Sequence, residues 1–361
     1  MIRLTVNDLR LTTDGLIYLD DIHFEARPGT IHLITGRADS GKTMIGRTLA
    51  GLEPDADGEI YLDGRDMTGI PAEKRRIAWV SGDGCLWPGY TVYANVEFGL
   101  KVRKVARAER RTRVSEALGW FGVDSLKDQK VDKLTAVESR RVALARALAV
   151  DPQMLVVDEP LGDLDEASRE SLRENIVRVQ SEQRLTTIIL TRHPSDWWAW
   201  ADRITILNGG GLVQTGALAE VYNRPANAMA AEYLGLCNIM TGEVEAAEAN
   251  GEVLVRLPFG KLLGRQSGRI KSAAAGDKAT VYIRPEAIGV GISSSSPQMN
   301  RVPVRIGSIQ FEGGLRRFLL EAQGDTRLVA RSCLLSLGQL REGIGTSALI
   351  SPDHVGVVVE I

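Results

Sequence analysis

"IHLITGRADSGKTMIGRTLAGL", residues 31–52, joins an apolar run of strand length to a glycine-bounded turn and then to a helix pattern. The turn fits G-x-x-x-x-G-K-[ST] at every position, as Gly36, Arg37, Ala38, Asp39, Ser40, Gly41, Lys42 and Thr43. Its glycines let successive backbone N–H groups curl round an anion, and the helix that follows aims its positive end at the same place. In such a loop the lysine, Lys42, reaches β- and γ-phosphates and the hydroxyl of Thr43 ligates Mg²⁺. A strand before the turn and a helix after it set this match apart from a chance tight turn.

Downstream, "DPQMLVVDEP", residues 151–160, is a second apolar run of strand length that ends in two carboxylates. Asp158 is placed for Mg²⁺ or its water, and Glu159 beside it to orient or activate an attacking water. Acids at strand ends are often only solvated caps, but a phosphate loop lying upstream in the right order favours the catalytic reading.

The residues after these motifs narrow the choice. "LGDLDEASRE" (161–170), "ILTRHPSD" (189–196) and "ADRITILNGGGLVQTGALAEVYNRPAN" (201–227) follow in turn. With "GYTVYANVEFGL" (89–100), "RRVALARALAVDPQMLVVDEPLGDLD" (140–165) and "IRPEAI" (283–288), nearly the whole chain resembles the ATPase subunits of ABC transporters, specifically the maltose-type carbohydrate importers. The resemblance implies an α/β P-loop NTPase fold, a RecA-like core carrying a helical subdomain at about 89–150, and then an all-β, OB-like regulatory domain. It also implies ATP and Mg²⁺ as cofactors, and a place at the cytoplasmic face of a membrane. The partners implied are a second ABC ATPase subunit, two transmembrane permease subunits and an extracytoplasmic solute-binding protein. Residue by residue, Asp165 matches the D-loop aspartate and His193 the switch histidine that contacts the γ-phosphate.

Three places depart from that pattern. Where the family carries serine-glycine-glycine-glutamine, closing over the nucleotide of the opposite subunit, this chain has Thr135, Ala136, Val137 and Glu138. A β-branched valine disfavours the conformations glycine allows, and a carboxylate facing polyphosphate is repelled by roughly 1–4 kcal/mol in a partly desolvated gap. In "RRIAWVSGDGCLWP" (75–88) the family's loop glutamine falls on Gly82, with Asp83 as the nearest substitute oxygen. The adenine-stacking aromatic falls at or near Thr13, leaving Tyr18 as the nearest aromatic ring; such stacking contributes about 1–3 kcal/mol per base.

The losses are sorted. Residues acting on the chain's own phosphates are kept, whereas the element donated to a partner's nucleotide is degenerate. An asymmetric heterodimer with a different ATPase chain is the expectation, that partner lacking its own catalytic glutamate or switch histidine. The helix after the degenerate stretch persists because Val142, Leu144, Ala145 and Leu148 recur at core-facing spacing. The competing expectation is an ATP-responsive regulatory homologue that hydrolyses little and couples to no pore, which the missing glutamine at Gly82 favours.

Bulk composition agrees with a folded, soluble chain. Of 361 residues, 25% are charged and 44% hydrophobic, with a formal net charge of −2; this balance argues against a polyanion partner and against disorder. The basic run "KVRKVARAERRTRV" (101–114) lacks interleaved aromatics and reads as a solvated helix face rather than a nucleic-acid surface. Cys85, Cys237 and Cys333 lack metal-ligand spacing and are expected as buried free thiols. The N-terminus lacks a signal-peptide core, and no apolar run approaches the roughly 18 residues of a membrane helix. Texture changes near residue 236 to short alternating strands, so an ATPase domain at 1–235 and a β-rich domain at 236–361 are expected, with "SSSSPQ" (293–298) as a flexible loop.

Overall fold

Every residue of Ile31–Gly36 is buried, as a strand covered on both faces of a parallel sheet must be. In the computed structural model, which describes residues 2–53, 56–267, 272–291, 299–333 and 340–359, this strand lies inside the first of two units, Met1–Leu218 and Ala219–Ile361. The strands of the first unit are β1 (Leu4–Thr13), β2 (Leu16–Ala26), β3 (Ile31–Gly36), β4 (Ala56–Leu62), β5 (Arg65–Asp66), β6 (Ile77–Val80), β7 (Met154–Asp158), β8 (Thr186–Thr191), β9 (Ala201–Asn208) and β10 (Gly211–Ala217). They form one sheet in the order β5-β4-β1-β2-β10-β9-β3-β8-β7-β6. The stretch from β9 to β6 is parallel, and β1, β2, β4 and β5 pair antiparallel.

This order positions the site. β8 lies between β3 and β7, so the turn after β3 and the acids ending β7 open at the same carboxyl edge, where open α/β sheets bind ligands. Helix α1 (Lys42–Ala50) follows the turn. It lies flush on the sheet because Gly46 has no side chain: a Cβ there would come within 2.0 Å of the Trp79 ring.

Between β6 and β7 the chain builds the expected helical subdomain, with α2 (Val92–Val102), α3 (Arg107–Trp120) and α4 (Ala136–Ala149). Their apolar faces meet through Val92, Val96, Val114, Leu118, Leu144 and Ala145, all fully buried or nearly so, and each buried Val or Leu side chain contributes roughly 1.5–3 kcal/mol. The basic run spans the end of α2, a turn and the first half of α3; most of it is exposed, with Arg113 paired to Glu109 and Arg110 to Glu97 of α2. Helix α5 (Glu166–Glu182) returns the chain from β7 to β8. Trp197 is fully buried, in line with a packing role, while Trp200 is partly exposed beneath the Arg173 guanidinium.

The second unit is all-β apart from two short helices, α6 (Leu218–Asn223), which begins at the boundary, and α7 (Ala228–Tyr233). Strands β11 (Asn238–Ala247), β12 (Glu252–Leu257), β13 (Gly260–Gln266), β14 (Lys278–Ile283) and β20 (Val355–Val359) close a barrel in the order β11-β12-β13-β20-β14. The other five, β15 (Ile288–Gly291), β16 (Asn300–Glu312), β17 (Leu315–Ala322), β18 (Arg327–Cys333) and β19 (Gly345–Ile350), form a sheet ordered β15-β19-β16-β17-β18. One core including Val255, Val281, Ile306, Phe318 and Ile350 is shared by the two. The all-β, OB-like expectation is met; "SSSSPQ" lies outside the described residues.

The units divide at 218/219, earlier than the change of texture near 236 suggests. Buried Arg284 accounts for the difference. Its guanidinium donates to the carbonyls of Ala231, Gly235, Leu236 and Tyr222 and stacks over the Tyr222 ring, and Tyr282 donates its hydroxyl to the Pro225 carbonyl at 2.8 Å. Cys85 and Cys333 are exposed and Cys237 is partly covered, which corrects the expectation of three buried thiols.

Candidate functional site

The turn after β3 delivers its donors through backbone shape. Gly41, the residue before α1, has φ 93°, a left-handed conformation that favours glycine. No side chain caps α1 and no acid sits in its first turn, so its leading N–H groups face outward as an anion site. Lys42 is buried, and its Nζ donates to Gly36 O at 2.9 Å, Arg37 O at 2.7 Å and Ser40 Oγ at 3.3 Å. Burial lowers its pKa, opposed by the charges of Glu159, Asp158 and Asp39. Carbonyl dipoles therefore hold the ammonium in place without a carboxylate in contact among the described residues, and its charge stays available to an anion.

Thr43 Oγ1 donates to Asp158 Oδ2 at 2.6 Å, joining α1 to the end of β7. The other oxygen, Oδ1, is buried without a partner among the described residues. Burial pushes the Asp158 pKa up, against the Thr43 hydrogen bond and the charges of Lys42 and Arg192. An orphaned buried carboxylate oxygen is costly unless a ligand satisfies it, and a threonine hydroxyl beside it completes a hard-oxygen pair that fits Mg²⁺. No group of three or more His, Cys, Asp or Glu among the described residues could hold a metal, as suits an ion held largely by phosphate and water.

Glu159 carries φ 42°, a strained backbone for a residue with a side chain. Its Oε1 accepts from the Arg192 backbone N–H at 2.9 Å and from Arg192 Nε at 3.2 Å. Burial raises its pKa, and the positive charges of Arg192 and Lys42 hold it down. His193 lies apart. It is exposed, its backbone N–H donates to Thr191 Oγ1 at 3.0 Å, and its ring pairs with none of the described residues.

Lys42, Thr43, Asp158 and Glu159 thus converge, and the cation on Glu159 is Arg192, which the sequence reading passed over. The signal was strand register: Asp158 pairs with Leu190 across β7 and β8, so the residues just past each strand end meet.

The remaining site residues are placed as follows. Asp165 caps α5, with Oδ1 accepting from Ser168 N at 2.9 Å and Oδ2 from Ser168 Oγ at 2.8 Å, bonds that hold its pKa down. A cavity of about 580 Å³ is lined by Asp39, Ser40 and Lys42 on one side and by Leu16, Ile17 and Tyr18 on the other. Tyr18 is therefore at the cavity, joined by two exposed aliphatic side chains.

Gly82 packs beneath β7: a Cβ there would stand 3.2 Å from the Asp158 carbonyl oxygen. Asp83 Oδ1 is engaged locally by Ser81 Oγ at 2.7 Å and Cys85 Sγ at 3.0 Å. At the start of α4, Thr135 Oγ1 accepts from Glu138 N at 3.3 Å, and Glu138 Oε2 accepts from Thr135 N at 2.8 Å. This is a reciprocal capping box, a T-x-x-E pattern visible in the sequence.

A profile of the ABC transporter family matches residues 19–162. The spermidine/putrescine import ATP-binding protein PotA of Thermobifida fusca is 32% identical over 86% of this chain and 80% of its own length. The Fe(3+) ions import ATP-binding protein FbpC of Streptomyces coelicolor is 31% identical over 96% of this chain and 93% of its own. The solved structure of cbiO1 from Clostridium perfringens, described as part of the ABC transporter complex cbiONQ, aligns with a TM-score of 0.56 at 27% identity, over 61% of this chain and 90% of that one. No helix of the described residues is long and apolar enough to cross a membrane. Matched along most of its length by import ATP-binding proteins, the chain belongs to the ABC transporter family, as one of its ATP-binding subunits, transport-coupled ATPases that use ATP with Mg²⁺.

Proposed function

We propose that this chain hydrolyses ATP to energise an importer, with Lys42, Thr43, Asp158 and Glu159 as its working residues. Lys42 and the N–H groups of residues 36–43 bind the phosphates. Thr43 and Asp158 Oδ1, which has no partner among the described residues, would hold Mg²⁺, which would supply charge neutralisation and alignment of the phosphates. Glu159 orients the attacking water and takes its proton. The observation that carries this reading is the 2.6 Å Thr43–Asp158 contact, with a buried Asp158 oxygen that has no partner among the described residues, beside an ammonium that donates to neutral oxygens. Its test is equilibrium binding of ATP with Mg²⁺ to the full chain and to Lys42→Ala. Loss of binding in the variant is expected, and equal binding overturns the reading.

The transporter is asymmetric in this proposal, pairing the chain with a distinct ATPase subunit. Support comes from the start of α4, where the Thr135 hydroxyl donates to the Glu138 carboxylate and accepts from the Glu138 N–H instead of facing outward. Native mass spectrometry of the membrane complex is the check: one copy beside a different ATPase chain is expected, and two copies overturn it. Contact with permease subunits would place the chain on the cytoplasmic face of the membrane, supplied with solute by an extracytoplasmic binding protein. Solute choice rests with those subunits. The relatives named above are called spermidine/putrescine and Fe(3+) ions import ATP-binding proteins, which makes small ions the first solutes to assay; the carbohydrate reading rests on the motif resemblance.

The regulatory reading has one observation in its favour, Gly82, which brings no side chain to the site. Solute-stimulated ATP turnover in the complex excludes it.

A further inference from the structure

Glu159 is held by Arg192 in two separable ways. The backbone N–H at 2.9 Å fixes the carboxylate wherever the guanidinium goes, whereas Nε at 3.2 Å belongs to a side chain about half exposed to solvent. An ion pair of that exposure is weak and exchanges readily. The same guanidinium lies within electrostatic reach of Lys42 and Asp158, since its charge bears on both. A planar fork of N–H donors matches phosphate oxygens better than a single carboxylate oxygen that is already hydrogen-bonded. His193, next in the chain, leaves its ring in solvent.

We propose that Arg192 reads the terminal phosphate of the bound nucleotide, its guanidinium exchanging from Glu159 to that phosphate and so freeing the carboxylate for the attacking water. The arrangement described above is the carboxylate-held one. After exchange, the backbone N–H of Arg192 keeps Glu159 Oε1 in place, while the carboxylate, relieved of the guanidinium that had bonded Oε1, accepts from water. Arg192 thereby couples recognition of a triphosphate to readiness of the base, a role that the resemblance assigns to His193. The inference rests on the nucleotide-site reading above and concerns only which side chain senses the last phosphate.

The test is equilibrium binding of ATP and of ADP, each with Mg²⁺, to the full chain and to Arg192→Ala, Arg192→Lys and Lys42→Ala. Arg192→Ala is expected to weaken ATP by about tenfold while ADP stays within about twofold, the loss of one charge-assisted contact to the last phosphate. Arg192→Lys, keeping charge without the fork, recovers part of the difference. If Arg192→Ala leaves the ATP-to-ADP ratio at the wild-type value, or weakens both nucleotides alike, Arg192 is only a structural partner of Glu159 and the inference is overturned. If the unmodified chain binds neither nucleotide, or Lys42→Ala binds as well as it does, the nucleotide-site reading has failed as well.

Discussion

Replacing Thr135 with alanine removes the acceptor that holds the first turn of α4. In the structure Thr135 Oγ1 accepts from Glu138 N at 3.3 Å, and Glu138 Oε2 accepts from both the backbone N–H and the hydroxyl of Thr135, each at 2.8 Å. Loss of an N-cap hydroxyl costs about 1 kcal/mol, and loss of an acid in the first turn costs about 0.3–1 kcal/mol, towards the low end at an exposed site. Because the two residues share their bonds, the changes are not additive: Thr135→Ala/Glu138→Ala should cost less than the sum by about 0.5 kcal/mol. The helix itself survives, since Val142, Leu144, Ala145 and Leu148 anchor its other face. All six tryptophans, at 79, 87, 120, 197, 198 and 200, lie in the first unit, so tryptophan fluorescence in a urea titration of the full chain reports on that unit. Thr135→Ala should lower its stability by about 1 kcal/mol, and Thr135→Ser should largely preserve it. A loss below about 0.3 kcal/mol, or strict additivity with Glu138→Ala, would refute the capping box as what holds this helix end.

Two further outcomes follow from the core around the site. His32 on β3 is buried with Nε2 2.8 Å from Thr205 Oγ1, and burial, aided by the Arg203 charge, pushes its pKa down from 6.5 to about 3. The folded value lies below the unfolded one, so the unfolded chain takes the proton first. Stability from this group is complete above pH 6.5 and falls as pH drops towards 3, with a loss of about 2 kcal/mol between pH 7 and pH 5. Urea titrations across that range check it, and a His32→Gln chain with the same slope would contradict the assignment. Gly46→Ala would place a methyl 2.0 Å from the Trp79 ring and 2.8 Å from Leu190, an overpacking worth about 1–3 kcal/mol; a thermal midpoint equal to or above that of the unmodified chain would show that α1 does not lie flush on β6.

What the sequence disclosed followed the range of each interaction. The turn from Gly36 to Thr43 and the acids at 158–159 are local patterns whose flanking strand and helix are written beside them, and they fold together as read. Arg192 escaped notice because its partner stands 33 positions away and meets it only through the register of β7 with β8. The T-x-x-E box was legible, yet the resemblance to the family pattern led Thr135–Glu138 to be read as a loss where the chain has built a cap. The boundary near 218 was hidden because α6 and α7 look like a continuation of the preceding α/β pattern, and only the buried Arg284 ties that stretch to the barrel. The burial of Cys85 and Cys333 was misjudged for a related reason: a thiol's depth depends on packing that no spacing rule records.

The central claim is that this chain carries a working hydrolytic site of its own, and ATP turnover by the assembled transporter after Glu159→Gln in this chain alone tests it most directly. Removing the base should cut turnover by about a hundredfold or more while ATP stays bound and unhydrolysed in the complex. Turnover equal to that of the unmodified transporter would contradict the account and move the hydrolytic site to another subunit.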